Sequence, residues 1–584
     1  MKKYIYLIAM MLTVVACDLD ETPKAKVGKD ALFASESGLA MYCNSFYNWL
    51  PGSSLATWGD TGNNYINANF SISTFYRSSY NASQEGSWSW GTLRNINYFL
   101  DNNNNPALSE AVRNNYTGIA RFWRAVFYFD KIRSYGDVPW IDHTLDVDDE
   151  LLTAPRDPRG NVAEKIFEDL DFASKNITAD FNSTATVVTS LVAAGFQSRF
   201  CLWEGTFRKY HGEADADKWL QRAADAADKV IKSGKFSIYN QGAKPYRELF
   251  VTSTPIATET MLATVYDAAE GIQNTENRKS TVSSLGVTFS PIRQFMNLYL
   301  KLDGSRYTDD PAYKTQQFFE EFEGRDKRIG QIIRVPGTTR SEGPVFPDFG
   351  VTYTGYQGLK FCTDIVANDG SNTGEQNYVW MRYAEILLNY AEAKAELGTL
   401  TDADWALSVG AIRARGGITG GLTTKPTELD PYMKENFFKN VSDPVIMEVR
   451  RERMCELVWE DTPSAFADLQ RWKEGPLLGM KWQGIYVKDF DTDIDLDLDG
   501  TPDAHFYTGA KPSAQGHIVY TYVQLAPNAS GKYDTRWGVD TDGHTLLLDM
   551  QQEPIVWHDR CYFHPISVND IAMNPNLKQN PGWE

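Results

Sequence analysis

A chain of 584 residues is long enough to bury a large core, and a hydrophobic content of 42% places it among globular proteins and not disordered ones. Its 76 acidic residues outweigh 57 basic ones for a formal net charge of −19, which excludes the basic footprint that a nucleic-acid phosphate backbone demands. The same balance disfavours lying on an anionic bilayer through basic contacts, and favours neutral ligands over polyanions unless a local basic pocket overrides the total.

Lys2 and Lys3 form a positive leader, followed by an apolar run over residues 4–15 that is too short to be a permanent membrane span. Val14-Val15-Ala16-Cys17 looks like a bacterial lipobox. Cleavage before Cys17 would leave its thiol carrying diacylglycerol, enough buried methylene with an N-acyl chain to hold a protein stably on a membrane. Residues 1–16 are therefore expected to be a signal peptide and 17–29 a lipidated tether. No later run is apolar enough to cross a bilayer.

Residues 30–50 pattern as an amphipathic helix that stops at Pro51-Gly52. Residues 53–90, rich in Gly, Asn, Ser and aromatics, keep no period and read as a long loop. Helix resumes over 90–101. The stretch 116–141 then places Phe122, Ala125, Val126, Phe129 and Ile132 on one helical face, with Arg121, Arg124, Lys131 and Arg133 mostly off it. Gly136 offers a C-cap and Pro139 forbids continuation, so this segment is expected to be the rod against which other helices pack. Helix follows over 161–175. Helix pairs are expected at 191–207 with 218–232, at 378–397 with 402–415 (ended by Gly398 and Gly416), and across 444–472. Ala-rich crossings in these pairs look like degenerate tetratricopeptide units. Segments 236–375 and 475–560 are mixed, with short β-like runs; with 53–90 they form an irregular face on the scaffold.

The sequence holds no H-E-x-x-H, G-x-S-x-G, Walker loop or helix-opening G-x-G-x-x-G, and no catalytic constellation is expected. Once Cys17 is spent on lipid, five cysteines remain, an odd number with no C-x-x-C pair. Cys201 and Cys455, in helical patterns, are expected to be buried inert thiols. Asp495, Asp497, Asp499 and Asp503 stand at loop positions 1, 3, 5 and 9, with Gly500 at 6 and Thr501 beside it, the spacing of a calcium loop of EF-hand type. Phe506 occupies position 12 in place of the bidentate Glu, so a structural Ca²⁺ here would be a staple and not a catalyst. Trp58, Asp60, Asn63, Asn64 and Tyr65 gather a flat ring and polar groups in one loop, the residue types that stack on and hydrogen-bond a sugar. Trp58 is the expected stacking residue, with Asp60 and Tyr65 as polar neighbours. Phe289, Tyr353 and Tyr356 are further candidates, and Arg382 is an expected hydroxyl donor.

The stretch R-F-W-R-A-V-F-Y-F…Y-G-D-V-P within 116–141 resembles a signature of the SusD/RagB family, nutrient-binding surface lipoproteins of Bacteroidetes. R-Y-A-E-I-L-L-N-Y-A-E-A from Arg382, I-R-A-R-G-G from Ile412 and R-R-E-R-M-C-E-L-V-W-E…F-A-D-L-Q-R-W from Arg450 resemble further blocks of that family. So does H-P-I…N-P-N-L-K-Q-N-P-G-W from His564. Asp461 and Ala465 stand where Gly and Arg are usual, and His564 and Ser567 are mild variants. Asp18, Asp20 and Glu21 after Cys17 resemble the acidic surface-export signal of such lipoproteins. The resemblance implies one mainly α-helical SusD-like domain over 30–584, with four tetratricopeptide-like helix pairs carrying the loop-rich face. It also implies an outer-membrane, outward-facing location, a SusC-like TonB-dependent transporter as partner, and an oligosaccharide or polysaccharide ligand. The RagB branch, which handles peptides, is the alternative.

Overall fold

Ser35 starts the first helix, α1 (Glu36–Asn44), by accepting the Gly38 N–H at 3.2 Å. The computed structural model of the chain describes residues 32–50, 65–68, 74–283, 289–460, 465–548 and 555–584; the leader, Cys17, Trp58 and Asp60 lie outside the described residues. Helix α2 (Gly91–Asn102) follows, and then the rod, α3 (Glu110–Tyr135), capped by Ser109 and closed where Gly136, at φ +72°, donates its N–H to Ile132 O. Phe122, Ala125, Phe129 and Ile132 are buried as their spacing requires. Arg124 and Lys131 depart from expectation, because they are buried too. Arg124 forms a two-bond pair (2.7 and 2.8 Å) with Asp169 on α4 (Arg159–Asn176), so helices enclose the rod on more than its apolar stripe.

Helix α5 (Ser190–His211) is buried at every position from 191 to 207, polar residues such as Arg199 and Glu204 included, where Arg199 pairs with Glu385 and Glu204 with Arg159 and Arg208. It folds back through Gly212, a left-handed C-cap, onto α6 (Ala216–Lys232), whose Ala223, Ala224 and Ala227 are buried. The two helices approach closely at Gly205, where a Cβ would lie 2.8 Å from the Leu220 nitrogen. Any side chain there would force the pair apart.

The segment expected to open as helix at residue 378 is a strand for its first five residues. After the short helix α7 (Pro245–Val251), β1 (Thr260–Thr264) pairs antiparallel with β2 (Tyr378–Arg382), and α8 (Tyr383–Glu396) begins only after Arg382, whose backbone is extended. Y-V-W-M-R is buried on both sides, so the pairing with β1 overrides a pattern that fits either period. Its partner α9 runs as Asp402–Trp405, a π turn at Ala406–Gly410, and Ala411–Arg415. Helix α10 (Pro444–Glu456), capped by Asp443, and α11 (Ala465–Trp472) complete the scaffold, α11 packing on α5.

The strands beyond are short. β3 (Trp482–Tyr486), β7 (Trp537–Val539) and β8 (Thr545–Leu548) form a sheet in the order β3-β8-β7. β4 (Asp493–Ile494), β5 (Ala504–Tyr507) and β6 (Val519–Tyr522) form another, in which β5 and β6 run parallel. One contiguous apolar cluster runs from Phe33 to Trp583. The C-terminal motif latches this layer to the rod: Asn580 Nδ2 donates to Tyr135 O, and His564 bonds Glu85 at 2.8 Å while stacking on Phe75 at 4.0 Å. The five described cysteines are free and buried, and burial raises the Cys201 and Cys455 thiols as expected of inert core groups.

Candidate ligand-binding and metal sites

The charged residues of the sequence motifs converge in the interior. Arg382 donates through Nε and Nη2 to Glu460 (both 2.7 Å), through Nη1 to Glu259 (2.8 Å) and Glu456, and through Nη2 to the Glu456 carbonyl. Arg415 bridges Glu259 and Glu456; Arg328 joins Asp326, Glu452 and Glu456; Arg413 joins Glu448 and Glu452. Lys360, fully buried, pairs with Glu460 at 2.6 Å. Beside this network, Arg471 and Asp468 link α11 to Glu392 of α8 and Arg453 of α10. Such groups are tolerated inside only because their donors and acceptors are nearly all spent on one another.

This arrangement corrects the expectation for Arg382. It is 1% exposed, and its N–H groups are committed to carboxylates and one carbonyl, leaving none for a ligand hydroxyl. Tyr65 is likewise 1% exposed, and burial raises its phenol well above the usual range; it is a core residue near Asp468, Arg453 and Arg471, not a rim group. Phe289, Tyr353 and Tyr356 are buried too. The chain gathers them by pairing residues 65–68 with 290–292 and packing both on the 352–356 turn through the Ser290–Thr352 hydroxyl bond. Alternating polar and aromatic residues look the same in sequence whether the segment is a surface loop or an irregular inner layer.

Open cavities among the described residues were not foreseen, and two of them have aromatic walls. One, of about 420 Å³, lies between α3, α5 and α11, with Phe127, Trp203 and Trp380 in its walls and Ser89, Thr92 and Lys131 among its polar groups. The other, of about 800 Å³, lies over the β3-β8-β7 sheet, with Trp482, Tyr533, Lys481, Lys532, Asp540 and Thr541 in its lining. Both fall in the size range of small-molecule sites. A lysine set among aromatics in R-A-V-F-Y-F-D-K is the one sequence signal that could have pointed to the first.

Of the five residues expected at a metal, the structure brings three together. Asp495, Asp497 and Asp503 each offer a carboxylate oxygen, all within 4.8 Å of one another. Asp499 is not part of that carboxylate group. The turn is held by Asp495 accepting from Leu498 and Gly500 N–H groups, with Gly500 at φ +90°. Burial first, then the neighbouring carboxylates, raises Asp503 and Asp497 above the ordinary range. A hard divalent cation would relieve that repulsion, so the donor set fits Ca²⁺.

A family model described as the SusD family matches residues 258–583, which includes the ionic network, the calcium-type loop and the C-terminal latch. The chain is 22% identical over 509 residues to SusD-like protein P2 of Formosa agariphila, covering 81% of this chain and 92% of that one. Its fold is similar to a SusD-like protein of Bacteroides fragilis (TM-score 0.68, 20% identity, 95% and 100% of the two chains). It is also similar to a SusD-like carbohydrate-binding protein of that organism (TM-score 0.67, 17% identity, 94% and 100%). The rod, the helix pairs and the latch that holds the irregular layer are those of a known architecture, and the chain belongs to the SusD family.

Proposed function

We propose that this protein is a cell-surface glycan-binding lipoprotein that captures an oligosaccharide and passes it to a SusC-like TonB-dependent transporter, without catalysing a reaction on it. The observation that carries this reading is end-to-end similarity to a SusD-like carbohydrate-binding protein, in a chain with two open cavities lined by aromatic and polar residues. Trp58 supplies a stacking face and Asp60 a polar neighbour. Isothermal calorimetry with panels of glycans and peptides tests it. Glycan binding supports it, peptide binding alone assigns the peptide-capturing branch, and sugar release from polysaccharide by the purified protein overturns the non-enzymatic part. Trp58→Ala is expected to weaken glycan binding by roughly 1–3 kcal/mol, the worth of a stacked ring by analogy with bases, or about tenfold to a hundredfold. Unchanged affinity with a large drop in melting temperature would make Trp58 a core residue instead.

Anchoring is through acylated Cys17 in the outer membrane, and no helix among the described residues is long and apolar enough to cross one. Cys17→Ala is expected to release the protein from the membrane fraction; retention there defeats the tether.

The loop of Asp495, Asp497 and Asp503 binds one structural Ca²⁺. Elemental analysis of stripped and calcium-soaked protein should find about one ion, with a modest rise in melting temperature. A chelator that changes neither leaves a solvated acidic turn.

A further inference from the structure

Lys131 is the anomaly on the rod. It is 6% exposed, and among the described residues its ammonium makes one hydrogen bond, to the Ser87 carbonyl at 3.1 Å. The other cations lining the 420 Å³ cleft are paired with carboxylates: Arg199 with Glu385, Arg453 with Asp468, Arg471 with Glu392, Arg133 with Asp130. Among the described residues no carboxylate oxygen lies within ion-pair distance of Lys131; Asp130 and Glu85 act on it only at longer range. The rings of Trp90, Phe127 and Tyr135 stand 5.5–5.9 Å from the nitrogen and compensate weakly. Burial accordingly lowers its pKa. A buried ammonium with donors to spare destabilises a fold unless something else uses it. This one lies in the wall of an open cleft whose other faces are Phe127, Trp203 and Trp380, with the Ser89 and Thr92 hydroxyls beside them.

We propose that this cleft between α3, α5 and α11 is a second saccharide site, selective for acidic sugars, in which Lys131 pairs with the carboxylate of a uronic-acid residue and the aromatic walls take the ring face. The carboxylate fills donors that the protein leaves empty, in surroundings where an ion pair is screened less than at the surface. The cleft volume suits one or two sugar residues and not a polymer, so the ligand enters by a chain end. The protein's overall negative charge opposes uronates in general, and only a counter-ion-free cation can reverse that locally. The proposal rests on the general glycan reading and goes beyond it; neutral-glycan capture survives its failure.

The test is calorimetry with digalacturonate against its methyl ester, which keeps the shape and removes the charge. Wild-type protein is expected to bind the acid at least tenfold more tightly than the ester. Lys131→Met should abolish that preference while raising the melting temperature of the free protein, since it removes a buried unpaired charge. Thr92→Trp, which puts a bulky ring into the cleft lining, should abolish acid binding. Equal or absent binding of acid and ester by the wild type overturns the proposal. So does a preference that persists in Lys131→Met or Thr92→Trp.

Discussion

Arg382→Ala is expected to destabilise the protein by roughly 3–5 kcal/mol, the usual consequence of removing one partner from a buried ion pair. The substitution removes a shared partner from Glu259, Glu456 and Glu460 in the interior, where Arg415, Arg328 and Lys360 are left to serve the three carboxylates. It also deletes a guanidinium that ties β2 to the end of α10, so the junction between the small sheet and the scaffold loosens. Urea titration is the measurement, read as a lower midpoint with an unchanged slope. The protein that remains folded should bind glycan as the wild type does. A loss of binding at unchanged stability would return Arg382 to the ligand site and refute its assignment to the core.

Acid should unfold this protein cooperatively well below pH 4. Burial alone would raise the Glu392 carboxyl, but Arg471, with Arg453 and Arg450, outweighs it and holds it at about 2. Burial is likewise overcome at Glu448 by Arg451 and Arg413, again to about 2, and at Glu456 by Arg415, Arg382 and Arg328. A carboxylate lowered in the folded state contributes stability that is fully present above its unfolded value of about 4.3 and drains away as pH falls toward the folded one. Several such groups, each worth on the order of a few kcal/mol, titrate over the same window. Glu474 has the opposite sign. Burial pushes it up to about 7 against the pull of Arg450 and Lys434. Its contribution is present below the ordinary carboxylate range and is lost as pH rises through 7. Melting temperature plotted against pH should therefore fall steeply on the acid side and gently toward neutrality. Glu474→Gln should flatten only the gentle limb. A flat profile down to pH 2 would mean that the network carries no net coupling to folding.

The helices were legible because their signals are local. A residue buried every third or fourth position, a Ser or Thr before the first turn and a glycine after the last are properties of one segment. α5 and α6 fall within four residues of their expected bounds and α10 within the expected pair, whereas α3 begins at Glu110, six residues before the stretch read from the sequence. The family was legible from motifs that are themselves short and local, and in the structure their Arg and Glu residues find partners inside. What the motifs did not reveal is which partner. Arg382 meets Glu456 across 74 residues and Glu259 across 123, and no period encodes such distances.

Sequence alone thus determined the helical scaffold, the loop-rich layer and the membership of the family, since propensity, capping and hydrophobic period act within a few residues. Tertiary structure alone decided the fate of single polar residues. It made a strand of Tyr378–Arg382 through pairing with a segment more than a hundred residues earlier, buried Tyr65 that sequence left on a rim, and enclosed Lys131 without a carboxylate. Whether a charge is exposed, paired or stranded depends on what the rest of the chain brings within a few ångströms of it, and that is settled only when the helices pack.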